Sequence, residues 1–386
     1  MLQTVRHARR VARPTPRAAC SLFATLLAVL LLTPALPAAA QADNELPQAI
    51  LEKDGAWNAE EARTVDAFIA RNLEPFASES ANAEEVAEAR EALLEPLNDL
   101  RAGPPFQAQF FRALASALNQ GLANFTKIGR INAMMLGSRV VEAAIVPVLE
   151  AGVTDPQPGV RYAASRSMLV VLTNEAMDLR AAEKARLIRK LGEAAGAEAN
   201  GFVAGKLIDA IRAAEVPAEV EVLLAVFNDR VPLHAADPRL TYQPELTAMQ
   251  ELFIDVLGDG GFDRDAGRSF IQSAARYIRL TTAQVADGAI PEAEQQTAIN
   301  LANQCYTVLD TLTPNAGQGG QRPGNPARLL PGNADRAVEL AEQWPGFLAA
   351  APLSLTDDEL SIADPNAPAT PDAPETPEPP AAPAAE

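Results

Sequence analysis

The sequence predicts an all-α protein. Aromatic residues are only 5% of the 386 residues, and Ala, Leu and Glu outweigh the β-formers Val, Ile, Thr and Tyr. Apolar residues recur at the three- and four-residue spacing of a helix face, and no stretch alternates with the two-residue period of a half-buried strand. A chain of this length holds one large domain or two ordinary ones.

The first forty residues have the plan of a secretory signal. Arg6, Arg9, Arg10, Arg13 and Arg17 precede an apolar run from Ser21 to Leu32, Pro34 and Pro37 end it, and Ala38-Ala39-Ala40 supplies a small-x-small cleavage site. A retained anchor is the alternative, although the run is short of the roughly 20 apolar residues of a spanning helix. Cys20 lies ahead of the run, with Arg17 three positions before it, which disfavours a lipoprotein site. Losing five basic residues and no acids would take the net charge from −18 to −23. It would also leave Cys305 and His234 as the single cysteine and histidine. The exported chain, periplasmic or secreted, then has no intramolecular disulfide. Cys305 falls in the helical rhythm of Leu301, Ala302, Val308 and Leu309 and reads as a small buried hydrophobe, with intermolecular pairing as the alternative.

Residues 41–57 read as a flexible lead-in and 58–312 as a helical domain. Asn58 followed by Glu60 and Glu61 marks a helix start, with Val65, Phe68, Ile69 and Leu73 on one face. Asn82 opens the next helix, and Pro104-Pro105 a third that carries Phe106, Phe110 and Leu114. Further helices follow at about 126–137, 139–151, 158–174, 176–194, 200–214, 217–229, 243–258, 264–285 and 291–312. Residues 313–333 have linker composition, 334–349 form a capping helix through Val338, Leu340 and Trp344, and 350–386 are rich in Pro, Ala and acids. Such a tail cannot bury enough apolar surface to offset its ordering entropy and is predicted to be disordered. Polyproline-type recognition is its alternative role.

Helices paired in series raise the question of repeats. In Ile145–Ala164 a first helix ends in apolar residues, Asp155-Pro156 make a turn, and a second helix opens with Val160-Arg161 followed by Ala163-Ala164. This segment resembles a HEAT repeat of the armadillo-like class. The alanines allow close helix packing, and Asp155 can accept from free N–H groups of the turn. First helices near 139, 176, 217 and 264 recur about every 40 residues, as such repeats do. The resemblance implies an α-solenoid of stacked antiparallel helix pairs over about 100–312; an irregular bundle is the alternative.

The chain offers little for catalysis. His234, in Val231-Pro232-Leu233-His234-Ala235-Ala236, reads as a loop residue between helices. No Gly-x-Ser-x-Gly presents a serine, no phosphate-cradling glycine loop is present, and one histidine cannot build a zinc pair. No cofactor is expected. Asp255, Asp259, Asp263 and Asp265 around Gly260-Gly261 read as helix ends and caps, with calcium as the alternative. The acidic balance argues against nucleic acid as a partner.

The resemblance implies a non-enzymatic scaffold or adaptor that binds another protein on its concave surface; an enzyme with an acidic site, or a structural envelope component, are the alternatives. Charge sharpens the first reading. Residues 101–210 carry a net +4, against −11 for 41–100 and −16 for 211–386. Lys127, Arg130, Arg166 and Lys206 are therefore the candidate residues for an acidic partner, with scattered solvated charge as the plainer account.

Overall fold

Asparagine caps start the first long helices where the sequence places them. Asn58 accepts from the backbone N–H groups of Glu60 and Glu61 (2.9 and 3.0 Å), while Glu61 accepts from the Asn58 N–H at 2.7 Å. Asn82 and Glu85 repeat this reciprocal arrangement. Each box satisfies N–H groups that a helix start otherwise leaves unpaired. The computed structural model describes residues 45–258, 264–313, 323–330 and 332–350. It is all-α, with no strand among the described residues.

The helices are α1 (Gln48–Leu51), α2 (Ala59–Ala77), α3 (Ala83–Asn98), α4 (Pro104–Gly121), α5 (Lys127–Gly137), α6 (Val146–Val153) and α7 (Pro158–Thr173). There follow α8 (Ala181–Ala197), α9 (Gly201–Arg212), α10 (Glu219–Ala236), α11 (Gln243–Gly258), α12 (Arg264–Ala286), α13 (Glu292–Leu312) and α14 (Ala334–Ala350). All belong to the unit Pro47–Glu386.

Their apolar faces bury as the periodicity predicts. Phe106, Phe110, Leu114 and Leu118 of α4 are fully buried, at about 1.5–3 kcal/mol each relative to exposure. Phe106 stacks on Phe110 (5.5 Å between centroids) and tilts against Trp57 (5.8 Å). Cys305 is buried beside Met249. Consecutive helices pair, α6 with α7, α8 with α9 and α12 with α13. Odd-numbered helices also touch in series, α3 to α5, α7, α9, α11 and α13, as do the even-numbered α8, α10, α12 and α14. Close approach within a pair depends on small residues. A Cβ at Gly152 of α6 would lie 2.8 Å from the Ala164 Cβ of α7 and 2.2 Å from Met134 Sδ.

Several boundaries differ from the sequence reading. The lead-in 41–57 contains α1, whose Ile50 and Leu51 are buried. The helix expected from 139 is a 3-10 turn at Ala143–Ile145 followed by α6. That expected from 176 begins only at Ala181, after Asp178 reverses the chain at φ 47°. Within the expected linker, a 3-10 turn at Pro326–Arg328 buries Pro326 and Ala327 and touches α13 and α14. The largest correction concerns α10. It runs through Pro232 to Ala236, so His234 is a buried helical residue and not a loop residue. The proline removes one helical hydrogen bond, but burial of Val231 and His234 favours continuing the helix. The expected signal segment 1–40, the tail 351–386, residues 314–322 and 331 of the expected linker, and Asp259 and Asp263 lie outside the described residues.

Candidate protein-docking face

The site begins at the turn between α6 and α7. Asp155 Oδ1 accepts from the Gln157 N–H at 2.8 Å, filling the role expected of it. Its Oδ2 lies 2.8 Å from Arg130 Nε of α5, and its backbone carbonyl accepts from Arg161 Nη1 of α7 at 2.8 Å. Arg161 then grips Glu198, in the α8–α9 turn, with Nε and Nη2 at 2.5 and 3.0 Å. This fork holds the guanidinium pKa above its ordinary value, chiefly through the Glu198 hydrogen bonds. Glu198 also accepts from the Asn200 N–H at 2.8 Å, which ties it to the start of α9. An arginine of one odd-numbered helix thus reaches the acid in the turn before the next, first from α5 to α7 and then from α7 to α9. Val160 and Ala164 are fully buried and Ala163 is nearly so, whereas Pro156 stays exposed in the turn.

The ladder runs on into the interior. Arg230 of α10 donates to the carbonyls of Ala195 and Glu198 and pairs with Glu245 of α11. His234 Nε2 lies 2.7 Å from Glu245 Oε1, and its ring stacks on Tyr242 at 3.9 Å. Gln284 closes the cluster, donating to the His234 carbonyl and accepting from the Tyr242 hydroxyl, each at 2.6 Å. Burial alone would raise the Glu245 pKa; the charges of His234 and Arg230 outweigh it and hold the group at about 2. Arg230, His234 and Glu245 are all sealed from solvent, so the cluster braces α10 against α11 and α12. Sequence reasoning missed it. The available signal was Arg230 standing inside the apolar rhythm of Leu223, Val226, Phe227 and Val231.

The four candidate cations separate. Arg130 is committed to Asp155 and to the Phe125 carbonyl (2.9 Å), so it belongs to the ladder. Lys206 pairs with Asp209 on its own helix at 2.6 Å and lines a cavity of about 580 Å³ with Phe202, Arg239, Thr241 and Glu294. Lys127 is exposed at the start of α5. Arg166 is exposed on α7 and makes no ion pair among the described residues. It lines a separate cavity of about 510 Å³ with Arg90, Met135, Arg139, Tyr162 and Val170.

Apolar exposure concentrates on this same row of helices. Of the large hydrophobic side chains left exposed among the described residues, Ile128 and Met135 lie on α5, Tyr162 and Val170 on α7, and Phe202 on α9, with Leu100 alone elsewhere. Phe202 keeps 82% of its surface in water. No group of three His, Cys, Asp or Glu side chains among the described residues could hold a metal ion. No described helix is long and apolar enough to cross a membrane. Comparisons with protein-family models, curated proteins and solved structures find no match.

Proposed function

We propose that the chain is a helical-repeat protein of HEAT type, its odd-numbered helices stacked as the second helices of successive repeats. Its function is that of an exported, non-enzymatic scaffold that binds a segment of another protein along α5, α7 and α9. The stacking is supported by the serial contacts of the odd-numbered helices and by the Arg130–Asp155 and Arg161–Glu198 pairs. In such arrays a side chain from one repeat bridges to the next, and neighbouring interfaces supply much of the stability. Export is supported by the basic, then apolar, then small-residue order of residues 1–40.

The single observation that carries the binding role is the placement of Ile128, Met135, Tyr162, Val170 and Phe202 on adjacent helices of one row. A patch of this kind, rimmed by polar residues, marks an interaction surface. Arg139 and Arg166, exposed and without an ion pair among the described residues, would favour an acidic partner.

The test is affinity capture from an envelope extract, comparing the wild-type chain with the variant Met135→Ser/Tyr162→Ser/Val170→Ser. A protein retained by the wild type and lost by a variant with an unchanged melting curve supports the reading. Equal capture by both would sink it.

A further inference from the structure

The groove around Arg166 has a ligand-like chemistry that the chain itself carries. On α7, Tyr162, Arg166 and Val170 follow at four-residue intervals and so form one stripe. Met135 and Ile131 of α5 and Leu94 of α3 complete an apolar floor, and Arg139 and Arg166 stand exposed at its edge. Arg90 is less available, since it pairs with Glu91 at 2.7 Å and donates to Asn132 at 2.8 Å.

The C-terminal sequence is complementary to that groove. From residue 351 onward it has eight acids and no basic residue. Prolines stand at every third position, Pro365, Pro368, Pro371, Pro374, Pro377, Pro380 and Pro383, and Asp372, Glu375 and Glu378 keep the same interval. A polyproline II helix has three residues per turn, so this spacing would set the prolines along one edge and the carboxylates along an adjacent one. Proline edges of this kind dock on aromatic-lined grooves.

We propose that the segment around Pro371–Glu378 docks in cis in the groove of α3, α5 and α7. Its prolines would lie on Tyr162, Met135 and Val170, and its carboxylates would face Arg139 and Arg166. The dimensions agree. The stripe from Tyr162 to Val170 is about 12 Å long at 1.5 Å per residue. That is the length of about four polyproline II residues at 3.1 Å each, enough for Pro371, Asp372, Pro374 and Glu375. Reach is not limiting. Passing from α14 back across α13, α11 and α9 to α7 takes roughly 40 Å at 8–10 Å per helix. The 20 residues between Ala350 and Pro371 can extend to about 70 Å. The inference rests on the reading of this row as a docking face, and makes the tail a competitor that an external partner must displace.

The test uses the full chain and a fluorescein-labelled peptide of residues 364–386, followed by anisotropy. One receptor is wild type; the other carries Asp372→Asn, Glu375→Gln and Glu378→Gln in its own tail. The peptide should bind the neutralised chain saturably, more weakly as salt rises, and bind the wild type roughly tenfold less tightly because its own tail competes. Adding Arg139→Glu/Arg166→Glu, or separately Tyr162→Ser, to the neutralised chain should weaken binding roughly tenfold with an unchanged melting curve. A peptide of the same composition whose prolines leave the triplet spacing should also bind roughly tenfold more weakly. Equal binding to wild-type and neutralised chains, equal binding of the scrambled peptide, or no saturable binding overturns the proposal. Should any of these occur while the Met135/Tyr162/Val170 variant still abolishes partner capture, the tail is not the occupant but the docking face stands.

Discussion

Arg161 and Glu198 lie 37 positions apart in the chain yet share a two-pronged hydrogen-bonded ion pair, with the Glu198 side chain only 4% exposed. The pair joins α7 to the turn that starts α9, so it is a contact between one helix pair and the next. Arg161→Ala would leave a nearly buried carboxylate without its charge partner and free the Asp155 carbonyl. The expected loss is about 2–3 kcal/mol. Urea midpoints of Arg161→Ala, Glu198→Gln and the double variant form a cycle, and a coupling of about 1–2 kcal/mol is expected. Additive losses would mean that the two side chains do not support each other.

Backbone approach sets a second prediction. A Cβ at Gly129 of α5 would fall 2.0 Å from the Phe76 carbonyl oxygen at the end of α2, whereas one at Gly205 of α9 would meet nothing within 4 Å. Gly129→Ala should therefore separate α5 from α2 and lower the melting temperature strongly. Gly205→Ala should be neutral or stabilising by up to about 1 kcal/mol, because alanine favours the helix interior. Thermal melts of the two variants check this, and similar effects at both positions would contradict it.

Acid should dissolve the buried cluster. Glu245 is held below the ordinary carboxylate value of 4.5, at about 2, so its contribution to stability is complete above pH 4.5 and is lost as pH falls through about 2. At neutral pH Glu245→Gln leaves Arg230 charged, buried and uncompensated, at a cost of about 3–5 kcal/mol. Protonating the wild type removes the same charge. The gap in melting temperature between wild type and variant should therefore narrow as pH is lowered from 4.5 toward 2. A gap that stays constant would show that Glu245 is not the charge that matters.

Cys305 is fully buried, and burial pushes its thiol pKa far above the ordinary range. In the chain lacking residues 1–40 it should react with a disulfide reagent only at the rate of unfolding. Rapid labelling under native conditions would place it at the surface.

The helices were legible where local chemistry decides them. Asn58, Asn82 and Thr126 cap helices by accepting hydrogen bonds from their own first turns, and that signal lies within four residues of sequence. The end of α10 was not legible, because Pro232 is a local stop signal and the burial that overrides it is tertiary. The candidate face was legible in part. Regional charge singled out Arg130 and Arg166 alike, but only the structure separates them, since the partner of Arg130 is Asp155, 25 positions away. Met135, Tyr162 and Val170 belong to ordinary helical rhythms, and their exposure depends on which neighbouring helices cover them. Arg230 and Glu245 went unread, and His234 was placed in a loop, because charge usually signals surface, and pairing among themselves is what permits their burial.

Hydrogen–deuterium exchange of the chain, alone and with the protein it captures, tests the scaffold reading most directly. The account predicts that the partner slows exchange in α5, α7 and the start of α9, around Met135, Tyr162, Arg166 and Phe202, and leaves α8, α10 and α12 unchanged. Slowed exchange confined to α8, α10 and α12, with α5 and α7 unaffected, would contradict it.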